Sequence, residues 1–125
     1  MCAPAERLSS ALQSALMLRE GPRLPADATE TGDWLHIDVY LSKRPGYTAL
    51  LFPGSRYDTG VMGYALERGS TIVAVGRDVE GAALSIPIPG ADDPLVALLV
   101  ETGVAELVAA ELWQRGTQAE DPALS

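Results

Sequence analysis

A loop rich in hydrogen-bond donors occupies residues 54–60, with the sequence GSRYDTG. It follows a short apolar run typical of a buried strand and precedes a helical pattern. The free amides at such a helix start, the hydroxyls of Ser55 and Thr59 and the charge of Arg56 could together hold a phosphate group. The spacing matches neither a P-loop nor a dinucleotide-binding fingerprint. A second interpretation is that Asp58 simply caps the helix.

His36 is the only histidine of the chain. Imidazole ordinarily gains and loses a proton near neutral pH, so His36 is a candidate for acid–base chemistry. The alternative interpretation is structural, with the ring packed beside Trp34 and hydrogen-bonded to backbone or to Asp38. Because Cys2 is the only cysteine and there is no second histidine, the sequence predicts no metal site.

The composition is that of one globular domain. A chain of 125 residues with 47% hydrophobic content can build a single core. The net charge of -8 argues against nucleic acid and anionic membranes as partners, because both require a basic surface. A single cysteine favours a reducing compartment. With no apolar run of about 18 residues and no signal-peptide pattern, we expect a cytoplasmic protein.

Periodicity predicts the helices that must position these residues. In the first of them, the expected buried face consists of Leu8, Leu12 and Leu16 with Ala11, Ala15 and Leu18, whereas Ser9, Ser10, Gln13 and Ser14 are expected largely elsewhere. Asp27 is the expected cap of the second. The last is apolar on most faces, so it is either deeply buried or packed against another chain. The predicted helices lie at residues 6–19, 26–34, 57–68 and 93–115, followed by a loose polar tail at 117–125.

Two apolar runs predict buried parallel strands, at residues 47–52 and 71–75. Pro87 places a third strand, at 84–88, at a sheet edge, because proline cannot donate to a ladder. Strands separated by helices predict the α/β class, with a parallel sheet in a three-layer αβα arrangement. Three main strands are few for such a sheet, and residues 1–5 are too short to supply another, so we expect an incomplete domain.

The ordered set of pieces resembles the second subdomain of the sugar isomerase (SIS) domain family, as found in the isomerase module of glucosamine-6-phosphate synthase-like proteins. The resemblance covers roughly residues 8–122 and implies the flavodoxin-like SIS fold, with a helical turn at residues 36–41. The pieces that carry it are an Ala-Leu-rich helix ending in Glu20, Gly32-Asp33 shortly before His36, the strand end Leu50-Leu51-Phe52-Pro53, and the helix end Arg115-Gly116-Thr117.

The resemblance implies roles for two side chains. The family's glutamate at the position of Glu20 moves a proton between adjacent sugar carbons. Its histidine at the position of His36 helps to open the sugar ring and reaches the neighbouring subunit's site. Where the family has a supporting lysine, this chain has Met17, and the family's second lysine lies beyond the last residue of this sequence. From the residues alone, Glu20 is interpreted as a surface charge paired with Arg19 or Arg23.

The expected function is therefore that of a phosphosugar-binding SIS domain, degenerate or a fragment, whose parent reaction is ketose–aldose isomerisation coupled to amino transfer. Ser55, Arg56 and Thr59 are the substrate-binding candidates. The expected partners are a sugar phosphate and either a second copy of the chain or a missing SIS subdomain, and no cofactor is implied. One alternative is a non-catalytic interaction or regulatory module that keeps the fold for dimerisation. Another is an unrelated flavodoxin-like domain whose Gly54 loop binds an anionic cofactor.

Overall fold

The computed structural model describes residues 1–119 and has a mixed α/β fold built on one sheet of five parallel strands. The order across the sheet is β2-β1-β3-β4-β5, so the strand order reverses beside β1. This confirms the α/β class, the parallel sheet and the three predicted main strands, and the structure adds two short strands to them. The strands are β1 (Cys2–Ala3), β2 (Thr29–Glu30), β3 (Thr48–Leu51), β4 (Thr71–Gly76) and β5 (Leu84–Pro87).

The two strands that the sequence did not predict are the short ones. The prediction that residues 1–5 are too short to supply a strand is wrong, because Cys2 pairs with Thr29 on one side and with Leu51 on the other. Thr29–Glu30 lies inside the predicted second helix, so that helix was placed too early. The predicted edge position of the third strand is confirmed, since β5 pairs with β4 alone.

Helices cover both faces of the sheet and complete three layers. One core cluster places Trp34, Val61 and Met62 against Leu51, and a second places Ala11 and Val104 against Phe52 and Val75 on the other face. The helices are α1 (Leu8–Glu20), α2 (Thr31–His36), α3 (Asp58–Glu67), α4 (Pro94–Val100) and α5 (Thr102–Ala119), with 3-10 turns at Ala5–Arg7 and Asp38–Lys43. The second turn confirms the helical turn that the resemblance implied.

The packing of α1 confirms the predicted face in part. Ala11 and Ala15 are fully buried and Leu8 packs against the second core cluster, but Leu12 is 53% exposed and the two serines expected elsewhere are buried. Ala105 and Ala109 of α5 are also buried, and α5 packs along α1. Side chains of this size allow two helix backbones to approach closely, so the buried face is shifted from Leu12 towards the serines. The buried residues of α1 are Ser10, Ala11, Ser14 and Ala15.

The last predicted helix is two helices. Asp93 caps α4 as expected, accepting a hydrogen bond of 2.9 Å from the amide of Leu95. Glu101 then separates α4 from α5, and α5 continues through Gly116, the predicted stop, to Ala119. The tail predicted from Thr117 therefore starts within α5, and residues 120–125 lie outside the described part. The apolar pattern predicted that this helix is either deeply buried or packed against another chain. Deep burial is wrong for much of α4 and α5, since Leu107, for example, is 75% exposed.

The cap of α2 is also corrected. Glu30, and not Asp27, precedes the helix, and its side chain accepts a hydrogen bond from the amide of Asp33 at 3.2 Å. A carboxylate there satisfies a free amide and complements the helix dipole. Over the described residues, none of these helices combines the length and the hydropathy needed to cross a bilayer.

Candidate functional site

The carboxyl ends of the parallel strands bring three loops to one edge of the sheet. The chain leaves β1, returns through β2 on its outer side, and then enters β3 on its inner side. Ligands of open α/β sheets bind at such a reversal, in the crevice outside the strand ends. The residues that follow β1, β2 and β3 here include Arg7, Thr31 and residues 54–58. This edge is therefore the position at which a ligand site is expected.

The predicted phosphate loop lies at this edge, but part of its hydrogen-bonding capacity is used internally. Asp58 accepts a hydrogen bond of 2.8 Å from the amide of Gly54, and the hydroxyl oxygen of Ser55 accepts one of 3.1 Å from the amide of Tyr57. Asp58 is the first residue of α3 and makes no capping bond to that helix, so the capping interpretation is wrong. The same loop carries three further donors, the Ser55 hydroxyl, the Thr59 hydroxyl and the Arg56 guanidinium, and both Thr59 and Arg56 are exposed.

His36 joins the loop through an aromatic contact. Its ring meets the ring of Tyr57 edge-on, with centroids 5.6 Å apart. The guanidinium of Arg56 lies 4.8 Å from the centroid of the same Tyr57 ring and donates a hydrogen bond of 2.7 Å to its hydroxyl. His36 is exposed, which contradicts the interpretation that it packs beside Trp34. We call His36, Ser55, Arg56, Tyr57 and Thr59 the carboxyl-edge site.

The position of the Tyr57 ring depends on Gly32, because the ring packs directly against this residue. A Cβ built on Gly32, at the start of α2, would lie 2.8 Å from the Tyr57 ring. Any side chain at position 32 would therefore displace the ring that links His36 to Arg56. Tyr57 is the member of the site that sequence reasoning missed, because the contact joins two elements that are 21 residues apart in sequence.

A buried ion pair supports the loop from below. Nε of Arg7 lies 3.0 Å from Oε1 of Glu101, and both side chains are almost fully buried. Arg7 also donates to the carbonyl of Pro53, and a Cβ on Gly54 would lie 3.0 Å from its Nη1. Gly54 has φ +138, which favours glycine independently. Arg7 thus fixes the start of the loop to the junction of α4 and α5, a role that no sequence pattern indicated.

Two polar atoms of this edge are buried without a hydrogen-bond partner. They are Oγ1 of Thr31, which is fully buried, and Oδ1 of Asp58. Burial raises the pKa of the Asp58 carboxyl above its ordinary value, and the amide of Gly54 and the charge of Arg77 partly oppose this. A protonated Asp58 could donate as well as accept, so the inner wall of the edge has unused hydrogen-bonding capacity.

Glu20 lies far from this site. It is the last residue of α1, which starts at the carboxyl edge and returns the chain to the amino edge, about 20 Å away for a helix of this length. Glu20 is exposed, and in the described part of the chain it forms no ion pair with Arg19 or Arg23. Within one copy, the structure therefore brings His36 together with the 54–60 loop and leaves Glu20 apart.

Comparison of the sequence with protein-family models gives no match, and a search of curated proteins gives no significant match either.

Proposed function

We propose that this chain is an SIS-type domain that binds a phosphosugar at the carboxyl-edge site and does not complete the isomerisation by itself. The observation that supports this most is the contact of His36 with Tyr57, because it places the one imidazole beside the hydroxyls and the guanidinium of the 54–60 loop. A phosphate needs such donors in an acidic chain, and a sugar ring packs well against an aromatic face.

The phosphate would contact Ser55, Arg56 and Thr59. The Ser55 oxygen already accepts a bond from the Tyr57 amide, which leaves its hydrogen to donate outwards. The Arg56 guanidinium has five donors, of which one contacts Tyr57, so it can still bind an oxyanion. The sugar would then extend towards His36.

The separation of Glu20 from His36 supports binding without turnover in a single copy. Proton transfer between sugar carbons requires the base within hydrogen-bond reach of the substrate. With the two groups at opposite edges of the sheet, one substrate can meet both only when a second copy or a missing subdomain contributes one of them. Met17, where the family has lysine, also removes a charge that a thioether cannot replace.

The test is a calorimetric titration with fructose-6-phosphate, glucosamine-6-phosphate and inorganic phosphate. We expect saturable binding of a sugar phosphate that exceeds that of inorganic phosphate, and at least a fivefold loss in Arg56→Ala. Arg115→Ala is the matched control, since it removes the same charge from an exposed pair on α5. Equal binding of inorganic phosphate, or equal affinity of the two variants, would contradict the proposal.

A second candidate is a non-catalytic interaction module, which the outer surface of α4 and α5 favours. We call this the α4–α5 apolar surface, formed by Leu95, Leu99, Leu107, Val108, Leu112 and Trp113. All six side chains are more than a third exposed. Exposed large apolar side chains of this number are typical of a surface that packs against another protein. A second copy of this chain is the proposed occupant.

Sedimentation equilibrium tests this second candidate. We expect a dimer whose mass falls towards that of the monomer in Leu107→Glu, while Ile37→Glu, on the opposite face and 65% exposed, leaves it intact. A monomeric wild-type chain at 100 times the concentration used for binding experiments would exclude self-association through this surface.

A further inference from the structure

A cleft lies at the amino edge of the sheet, opposite the carboxyl-edge site. Its volume is about 450 Å³, within the usual range for small-molecule sites. The walls come from residues 18–27, between α1 and β2, and from residues 41–50, which lead into β3. We call it the amino-edge cleft. Its lining is mostly apolar and includes Leu18, Leu24, Pro25, Leu41, Pro45 and Leu50.

The two chain segments that form the cleft are basic, although the whole chain is acidic. The net charge is -8, yet these segments carry four of the nine basic residues and only two acidic ones. Arg44 and Asp27 line the cleft itself, together with Met1, whose amino group donates a 2.8 Å hydrogen bond to the carbonyl of Asp27. Such a local excess of positive charge attracts an anion even when the protein as a whole is acidic. The basic residues are Arg19, Arg23, Lys43 and Arg44, and the acidic ones are Glu20 and Asp27.

The wall formed by residues 18–27 is held in place before any ligand binds. The guanidinium of Arg19 donates a 2.6 Å hydrogen bond to the carbonyl of Ala26, and the amide of Leu24 donates a 3.0 Å bond to the carbonyl of Leu18. Arg23 has φ +60, a left-handed conformation that non-glycine residues rarely adopt. Strained residues of this kind cluster at functional sites. A preformed wall also reduces the entropy lost on binding.

One wall of the cleft is anchored to the core through Tyr47. Its hydroxyl accepts a 2.9 Å hydrogen bond from Nε1 of Trp34, which is fully buried. Burial raises the pKa of the Tyr47 phenol, so it stays neutral and adds no negative charge beside the cleft.

We propose that the amino-edge cleft binds a small carboxylate with an apolar body, its carboxylate on Arg44 and its hydrocarbon among the leucines and prolines. An uncharged apolar ligand would form no ion pair with Arg44. A sugar phosphate would bring no apolar surface to pack against the leucines and prolines of the walls. This site is distinct from the carboxyl-edge site and does not depend on the phosphosugar proposal.

The experiment is an NMR titration of the ¹⁵N-labelled full chain with octanoate, octylammonium and 1-octanol. We expect saturable shifts with octanoate, confined to amides of residues 24–27 and 44–48, and little effect of octylammonium. Arg44→Ala should weaken octanoate binding about fivefold, the effect of removing one exposed charge contact. Arg56→Ala, at the other edge, should leave octanoate binding unchanged.

Four results would overturn the proposal. Octylammonium or 1-octanol binding as tightly as octanoate would remove the role of Arg44. Shifts centred on the α4–α5 apolar surface would move the site elsewhere. Wild-type affinity in Arg44→Ala, with its spectrum showing an intact fold, would do the same. Loss of octanoate binding in Arg56→Ala would show that the two sites are not independent.

Discussion

Nε of Arg7 lies 3.0 Å from Oε1 of Glu101, across a sequence separation of 94 residues. The pair joins the turn after β1 to the junction between α4 and α5, and Arg7 adds a bond to the carbonyl of Pro53 at the end of β3. Three segments distant in sequence therefore meet at one guanidinium. The second oxygen of Glu101, Oε2, is buried without a partner, so the arrangement depends on Arg7 alone for its charge balance.

The first prediction concerns this pair. Arg7→Ala should destabilise the fold by about 3–5 kcal/mol, because it leaves a buried carboxylate unpaired. The double variant Arg7→Met/Glu101→Leu should lose much less, since it buries no charge. Urea unfolding followed by circular dichroism measures both. Arg115→Ala breaks an exposed pair and should change stability by less than about 1 kcal/mol. A double variant as unstable as Arg7→Ala would show that burial of the charge is not the cause.

The second prediction concerns the contact between α1 and α5. The Ser14 hydroxyl is fully buried and has no hydrogen-bond partner, so Ser14→Ala should stabilise the protein by roughly 1 kcal/mol. Ala11→Leu should destabilise it by about 1–3 kcal/mol, because Ala11 is fully buried against Phe52 and Val75 and a larger side chain has no room there. Thermal unfolding of the two variants gives the signs, and a stabilising Ala11→Leu would contradict this packing.

The third prediction follows from Asp58. Its pKa is raised by burial from an ordinary value of 3.8, so the folded state binds this proton more tightly than the unfolded state does. Its contribution to stability is therefore present below pH 3.8 and is lost as pH rises through the folded-state pKa. Asp58→Asn, which stays neutral, should gain stability relative to wild type between pH 4 and pH 7.

Melting temperatures at both pH values test this. Asp92→Asn, at an exposed position, serves as the control and should show no such trend. If the difference between Asp58→Asn and wild type is the same at pH 4 and pH 7, the carboxylate is not destabilised by burial.

The fourth prediction concerns Cys2. Burial raises the pKa of this thiol to about 11, and its side chain is fully enclosed within the sheet. Reaction with a disulfide reagent at pH 8 should therefore be slower by orders of magnitude in the folded chain than in guanidinium, because the thiolate is both rare and inaccessible. Equal rates in the two conditions would mean that β1 separates from the sheet readily.

The sequence predicted the elements that have a clear period. β3, β4 and α3 combine an apolar run or an apolar face with turn residues at both ends, and Asp93 before Pro94 is a strong start signal. The strands β1 and β2 were missed because two residues cannot show an alternation. In α1 the hydrophobic pattern predicted the burial of Ala11 and Ala15 but not that of Ser10 and Ser14, because close helix contact selects small residues over a leucine such as Leu12.

The candidate site was predictable only in part. Residues 54–60 were identified because their donors are consecutive in sequence, and His36 because it is the only imidazole. Their proximity depends on Tyr57 and on the room that Gly32 leaves for its ring, neither of which a linear pattern reveals. Arg7 gave no signal, since its partners lie 46 and 94 residues away.

The position of β1 inside the sheet has a consequence for folding. Cys2 pairs with Leu51, so β1 gains this neighbour only by closing a loop of about 50 residues. The ladders of β3 with β4 and of β4 with β5, by contrast, join segments close in sequence. The β3–β5 half of the sheet can therefore form from local contacts, whereas placing β1 beside β3 costs more conformational entropy.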